Sequence, residues 1–287
     1  MNHYPSNVKE KLNSIILSMA EHHWLFSKNP GHDFTRQHLG KLSFYDTMRL
    51  IISMGKGSTN DEIMDYFDLD PDLIPSQSAF CQRRRQISLS AFEYLFSEFS
   101  SSFPSTTDKF KDHCILACDG CHVVYATNSD IIEDYNKPRL IDYKGYNHMH
   151  LNGFVDVISK AFPDVVIQPG QQPDEREALH SMLDHFTPDD PQKYIITADR
   201  GYESYDLLFH CELKNLGYVF RVKSPSSPKS ILSYYASELP DDLEEFDVTI
   251  KRFFTDKATN IMKSQSDVYR YINPSKNTPH FYELLRK

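Results

Sequence analysis

Up to about residue 105 the hydrophobic positions recur at helical spacing, and the stretch reads as all-α. In FYDTMRLIISMG, Phe44, Met48, Ile51 and Ile52 fall on one face, after which Gly55 and Gly57 break the pattern. Ser58 or Thr59 can cap the next helix, NDEIMDYF, whose first turn carries Asp61 and Glu62 where the helix dipole favours acid. SQSAFCQRRRQI and LSAFEYLFSEF read as two further short helices. From His113 the period changes to that of strands. CILACD is an apolar run ending in Asp119, HVVYAT is a strand at 122–127, and HLNGFVDVIS and DVVIQPG form a hairpin through KAFP. The helix that follows has Asp174 as its cap and Glu177 to complete a capping box, with Ala178, Leu179, Met182, Leu183 and Phe186 as its buried stripe. YIITAD at 194–199 is too uniformly apolar for a wet face and reads as a strand covered by helices on both sides. SYDLLFHCELKNLG is a helix closed by Gly217, YVFRVK at 218–223 a last strand, and SPSSPKS at 224–230 a low-complexity hinge. This order predicts an α/β fold, a mixed sheet flanked by helices and preceded by an all-α amino-terminal domain.

Bulk composition narrows the class. A chain of 287 residues, 40% hydrophobic and 25% charged, suits an ordinary globular protein of one large or two modest domains. No run of eighteen apolar residues occurs and the first residues lack an export signal, so the expected location is the cytoplasm with no membrane partner. Five cysteines, odd in number and dispersed, argue for reduced thiols. The net charge of −9 counts against a nucleic-acid partner, because Lys and Arg supply most affinity for phosphates. Part of that acid is local, at Glu238, Asp241, Asp242, Glu244, Glu245 and Asp247, while Lys28 to Lys56 carries five basic residues against two acidic ones.

Two carboxylates stand in matching positions. Asp119 and Asp199 each end an apolar run and have a glycine within two residues. Ligand sites of open sheets gather at such strand ends. On neighbouring strands the two would converge, and convergent carboxylates make sense around a cation such as Mg²⁺. Asp-Gly is also a common turn, which is the bland account of either site alone. Arg83, Arg84 and Arg85 fit a helix-turn-helix DNA reader or a solvated basic helix face. Cys118, Cys121 and His122 spell the haem-attachment pattern, which lacks the export it needs, and a zinc set of Cys118, Cys121, His148 and His150 conflicts with the alternation of side chains along strands.

HCILACDG, QPDEREALHSML and above all YIITADRGYESYDLL resemble the DDE transposases of bacterial insertion sequences, the IS-four family, built on a ribonuclease-H-like core; the likeness spans about residues 34–223. It implies a helical DNA-binding domain at 1–105, a ribonuclease-H-like catalytic core at 106–223 and the start of a β-rich insertion at 224–287. It further implies that Asp119 and Asp199 are catalytic and hold Mg²⁺ or Mn²⁺, and that Arg200 and Tyr202 contact DNA; an exposed Arg and a packed Tyr would account for that pair equally well. The expected activity is metal-dependent cleavage at the element's terminal inverted repeats and strand transfer into target DNA, by a homodimer when intact, associated with the nucleoid in use. The family's third carboxylate, a Glu on a late helix, has no match in this chain. Glu283 comes closest, but Pro279 stands where an Arg is required. The resemblance therefore implies truncation and feeble activity. Two other functions remain open at this point: a metal-dependent nuclease of the same fold, and a non-catalytic DNA-binding remnant or regulator.

Overall fold

The computed structural model describes residues 4–35, 42–102, 110–137 and 145–233, with short pieces at 239, 247, 249, 253–255, 259–265 and 268–271. The chain divides into two compact units, Met1–Pro104 and Ser105–Lys287. Among the described residues no helix is long and apolar enough to cross a membrane.

Helices build the first unit: α1 (Tyr4–Glu21), α2 (Phe44–Ser53), α3 (Thr59–Tyr66), α4 (Gln77–Gln86) and α5 (Leu89–Ser101). Serines start three of them by accepting a backbone N–H of the first turn: Ser43 from Asp46, Ser58 from Asp61, Ser76 from Ala79. The choice between Ser58 and Thr59 thus falls to Ser58. The predicted face of α2 needs correcting, because Ile52 is 40% exposed whereas Leu50 is fully buried. A single stripe cannot describe this helix, since it is covered on two sides. Phe44 and Met48 pack with Ile16, Met19 and Ile87, while Leu50 joins Leu42, Ile63 and Phe80. The connection between α3 and α4, residues 67–76, is longer than the tight turn of a helix-turn-helix pair.

In the second unit the elements run β1 (Cys114–Tyr125), β2 (Tyr135–Asn136), β3 (Tyr146–Asp156), β4 (Val165–Pro169), α6 (Glu175–His185), β5 (Tyr194–Ala198), α7 (Tyr205–Leu213) and β6 (Gly217–Phe220). The sheet order is β2-β3-β1-β5-β6, with β4 also on β3. Pairing is antiparallel from β1 to β3 and β3 to β4, and parallel from β1 to β5 and β5 to β6, so this is the expected mixed sheet flanked by helices. Farther on, β7 (Phe253–Thr255) and β8 (Tyr269–Tyr271) pair in parallel, with α8 (Asn260–Ser264) between them. Most of the acidic run at 238–247, and the region of Glu283, lie outside the described residues.

Three expectations are revised here. The strand that was to end at Asp119 continues unbroken to Tyr125, because the ladder to β3 holds through Asp119↔Gly153 and Gly120↔Asn152. β5 alternates in burial along its length, with Ile196 and Ala198 buried and Ile195 and Thr197 only partly so. Leu179, Met182 and Leu183 of α6 and Leu207 and Cys211 of α7 enter one cluster with Leu116, Cys118, Phe154 and Ile196, so the described helices cover one face of β5. Each large apolar side chain buried there contributes roughly 1.5–3 kcal/mol. Finally, α7 is closed at Lys214 and turned by Asn215 at φ 55°, while Gly217 already belongs to β6. Asn tolerates the left-handed region nearly as glycine does.

Polar groups tie α6 to α7 inside this core. Lys214 Nζ donates to the carbonyls of Leu183, Asp184 (3.0 Å) and Phe186 (2.9 Å), which satisfies the open end of α6. Stacked on one another, His180 and His210 meet Nδ1 to Nδ1 at 2.9 Å; His180 Nε2 faces Asp206 at 3.1 Å and His210 Nε2 faces Asp184 at 3.1 Å. Among the described residues of α6, the cap Asp174 accepts from the N–H groups of Arg176 and Glu177, as predicted. The other half of the capping box is replaced, because the Asp174 N–H goes to Gln168 Oε1 at 3.1 Å.

Nor is the stretch at 224–230 a free hinge, since Glu203 anchors it. Its side chain is fully buried and accepts from Lys223 N (3.0 Å), Lys223 Nζ (3.2 Å), Ser230 Oγ (3.0 Å) and Ile231 N (2.5 Å). Burial works to raise its pKa, but the donors of Ile231, Lys223 and Ser230 outweigh it and hold the carboxyl below its ordinary value of 4.5. With the folded pKa depressed, the stabilisation is present above the unfolded pKa and lost as pH falls through the folded one. Glu203→Ala should therefore cost about 3–5 kcal/mol at neutral pH in urea denaturation, because it removes the partner of the partly exposed Lys223 ammonium and strands two backbone donors. That difference should shrink in acid below the ordinary carboxylate range.

Candidate metal centre

Strand register decides where the two aspartates go. β1 and β5 run parallel, and the last paired positions are Cys118 and Ala198. Asp119 and Asp199 are the next residue of each, on adjacent strands and at the same end of β5. Beyond that point the chain after β5 turns away, with Tyr202 N donating to Asp199 O, while β1 continues. Both aspartates are exposed. Each orients its carboxylate on the neighbouring backbone: Gly120 N donates to Asp119 Oδ1 at 2.9 Å and Gly201 N to Asp199 Oδ1 at 2.6 Å. Among the described residues no Lys, Arg or His forms an ion pair with either one. Two like charges on neighbouring strands without an internal counter-charge favour a cation between them.

Gly120 lies within β1 and Gly201 in the turn after β5, and neither has a positive φ. A Cβ at Gly201 would stand 2.9 Å from Asp199 Oδ1 and 3.3 Å from Glu175 Oε2. A Cβ at Gly120 would stand 2.5 Å from His150 Nε2, 2.9 Å from Asn152 Oδ1 and 3.1 Å from Glu175 Oε1. Glu175, the first residue of α6, therefore reaches over the glycines beside both aspartates, and its Oε1 lies 3.3 Å from His150 Nε2. Sequence reading passed over Glu175, which looks like any acid in a first helical turn. His148 and His150 were weighed only as zinc ligands, and Asn152, which continues their period of two along β3, was passed over.

Other expected residues divide. Tyr202 is 1% exposed and packs in the main core cluster, the packed arrangement that was the alternative to a DNA contact. Burial first, then Cys118 and the carboxylates of Glu175 and Asp119, pushes its hydroxyl well above the ordinary tyrosine range. Burial likewise pushes the Cys118 thiol up to about 12. Cys121 is exposed, three positions along the strand from Cys118, and among the described residues no group of three or more His, Cys, Asp or Glu could hold a metal ion. Arg200 is exposed. Arg83, Arg84 and Arg85 occupy the last turn of α4; Arg83 lies 5.2 Å from the Phe34 ring and Arg84 5.8 Å from that of Phe80. Successive helical residues diverge by roughly 100°, so the three do not share a face.

Among curated proteins no sequence matches this chain. The family model described as the transposase DDE domain matches residues 110–282, a span that takes in the sheet, both aspartates and Glu175. The chain belongs to the transposase DDE domain family.

Proposed function

We propose that this protein is the transposase of an insertion sequence, cutting DNA at the element's terminal inverted repeats and joining the freed ends to target DNA. The observation that carries the reading is the parallel register ending at Cys118 and Ala198, which leaves Asp119 and Asp199 side by side past the last paired residues. The family implies a divalent cation, and the residues suit one. Their donors are carboxylate oxygens, the kind Mg²⁺ and Mn²⁺ prefer, and no protein cation competes for Asp119 or Asp199 among the described residues. When bound, such an ion activates the attacking oxygen and steadies the leaving one. Asp119 and Asp199 hold it, their carboxylates kept in place by the N–H groups of Gly120 and Gly201. Arg200, exposed beside Asp199, and the arginines of α4 contact the DNA backbone. A homodimer on paired ends completes the reading.

Incubating the protein with a tailed duplex and Mg²⁺ under single-turnover conditions tests this. Joined products, absent in chelator, are the expected result. Nicking without joining would assign a nuclease instead, and metal-independent DNA binding without either product would assign a non-catalytic regulator.

A further inference from the structure

We propose that Arg176, in the first turn of α6, is a DNA-binding residue that grips a backbone phosphate beside Asp199, an inference that rests on reading the chain as a transposase acting on DNA. Its Nε donates to Gly201 O at 3.1 Å, two residues past Asp199. The preceding carbonyl is held from another element, where Lys223 Nζ, past the end of β6, donates to Arg200 O at 2.8 Å. A cation thus braces each of two consecutive carbonyls in the turn that leads the chain away from the carboxylate pair.

The two braces differ in how their charge is balanced. Lys223 is paired with the buried carboxylate of Glu203 at 3.2 Å. Arg176 is exposed, and among the described residues no carboxylate forms an ion pair with it, although Asp174, Glu175 and Glu177 flank it in sequence. Only its Nε–H is committed among the described residues, so the N–H groups of both terminal nitrogens remain open. Holding a carbonyl takes one donor and no free charge, as Lys223 shows. The surplus at Arg176 is a planar fork already fixed through its Nε, which matches two oxygens of one phosphate and loses little freedom on binding it. Such a grip answers a difficulty of this sheet edge. Asp119 and Asp199, exposed on adjacent strands, repel a phosphodiester that approaches the end of β5. Through its bond to Gly201 the Arg176 charge stands at that same end and offsets the repulsion there. The ligand is therefore a nucleic-acid backbone phosphate, contacted without regard to base.

Binding of a short duplex of arbitrary sequence by the whole chain, measured by fluorescence anisotropy in chelator over a range of salt, tests the inference without turnover or metal. Arg176→Gln should weaken binding about tenfold at low salt, as loss of one charge-assisted contact does, and lower the slope of log affinity against log salt by about 1. Lys193→Gln removes the same charge just before β5, at the strand's other end, and should leave affinity and slope at wild-type values. Should circular dichroism show that Arg176→Gln does not fold, the wild type decides: bound duplex should shield Arg176 from phenylglyoxal severalfold, read by mass spectrometry. A wild-type slope in Arg176→Gln, an equal loss in Lys193→Gln, or an unshielded Arg176 would reduce the residue to a brace of the Gly201 turn and overturn the inference, with the transposase reading intact. A wild type that binds no duplex would sink that reading, and Arg176 with it.

Discussion

Asp119→Asn or Asp199→Asn lowers Mg²⁺-dependent cleavage by about three orders of magnitude or more, because losing an ion ligand forfeits several kcal/mol of charge stabilisation in the transition state. The same substitutions leave stability in chelator unchanged or slightly higher. Both side chains are exposed, neither forms an ion pair among the described residues, and removing one charge relieves the repulsion between them. Adding Mn²⁺ then separates the proteins: only the wild type gains melting temperature, since a ligand that binds only the folded state stabilises by mass action. A turn or cap residue would show the reverse pattern, a loss of stability in chelator with no response to the ion. Thermal melts of the three proteins with and without Mn²⁺, alongside the cleavage assay, distinguish the two.

The second large effect falls on stability and not on DNA. Tyr202→Ala should cost about 3–5 kcal/mol, the range for emptying a buried aromatic position, and it should do so with or without DNA or metal. Its ring fills the cluster formed by Cys118, Leu179, Ile196 and Leu207, so the residue props the loop after Asp199 from below. Tyr202→Phe keeps that ring and should keep DNA affinity at the wild-type level. A Tyr202→Phe variant that folds normally but loses DNA affinity would show the hydroxyl at the DNA after all.

How much of this was legible beforehand depended on whether a signal was local. The α6 stripe of Ala178, Leu179, Met182 and Leu183 and the caps Ser58 and Asp174 were readable because periodicity and capping are properties of a few consecutive residues. YIITAD and its terminal aspartate were readable for the same reason. Gly120 misled, because next to Asp it looks like a turn, whereas the β3 ladder carries the strand through it and the missing side chain makes room for Glu175. Tyr202 stayed undecided because an aromatic after an Arg-Gly pair carries no mark of which way it points. Ile52 and Gly217 failed on tertiary grounds, the first because α2 is covered from two sides, the second because Asn215 already makes the left-handed turn. Glu175, His150 and Asn152 were illegible as a group, since only the pairing of β1 with β3 and the docking of α6 bring them together.

Asp119 and Asp199 are expected to share one ion site. Crystals of the protein soaked in Mn²⁺ and measured at the manganese absorption edge test it most directly. An anomalous peak bonded to carboxylate oxygens of both residues is the expected result. A peak elsewhere, with the two carboxylates left apart and bound only to water, would contradict it.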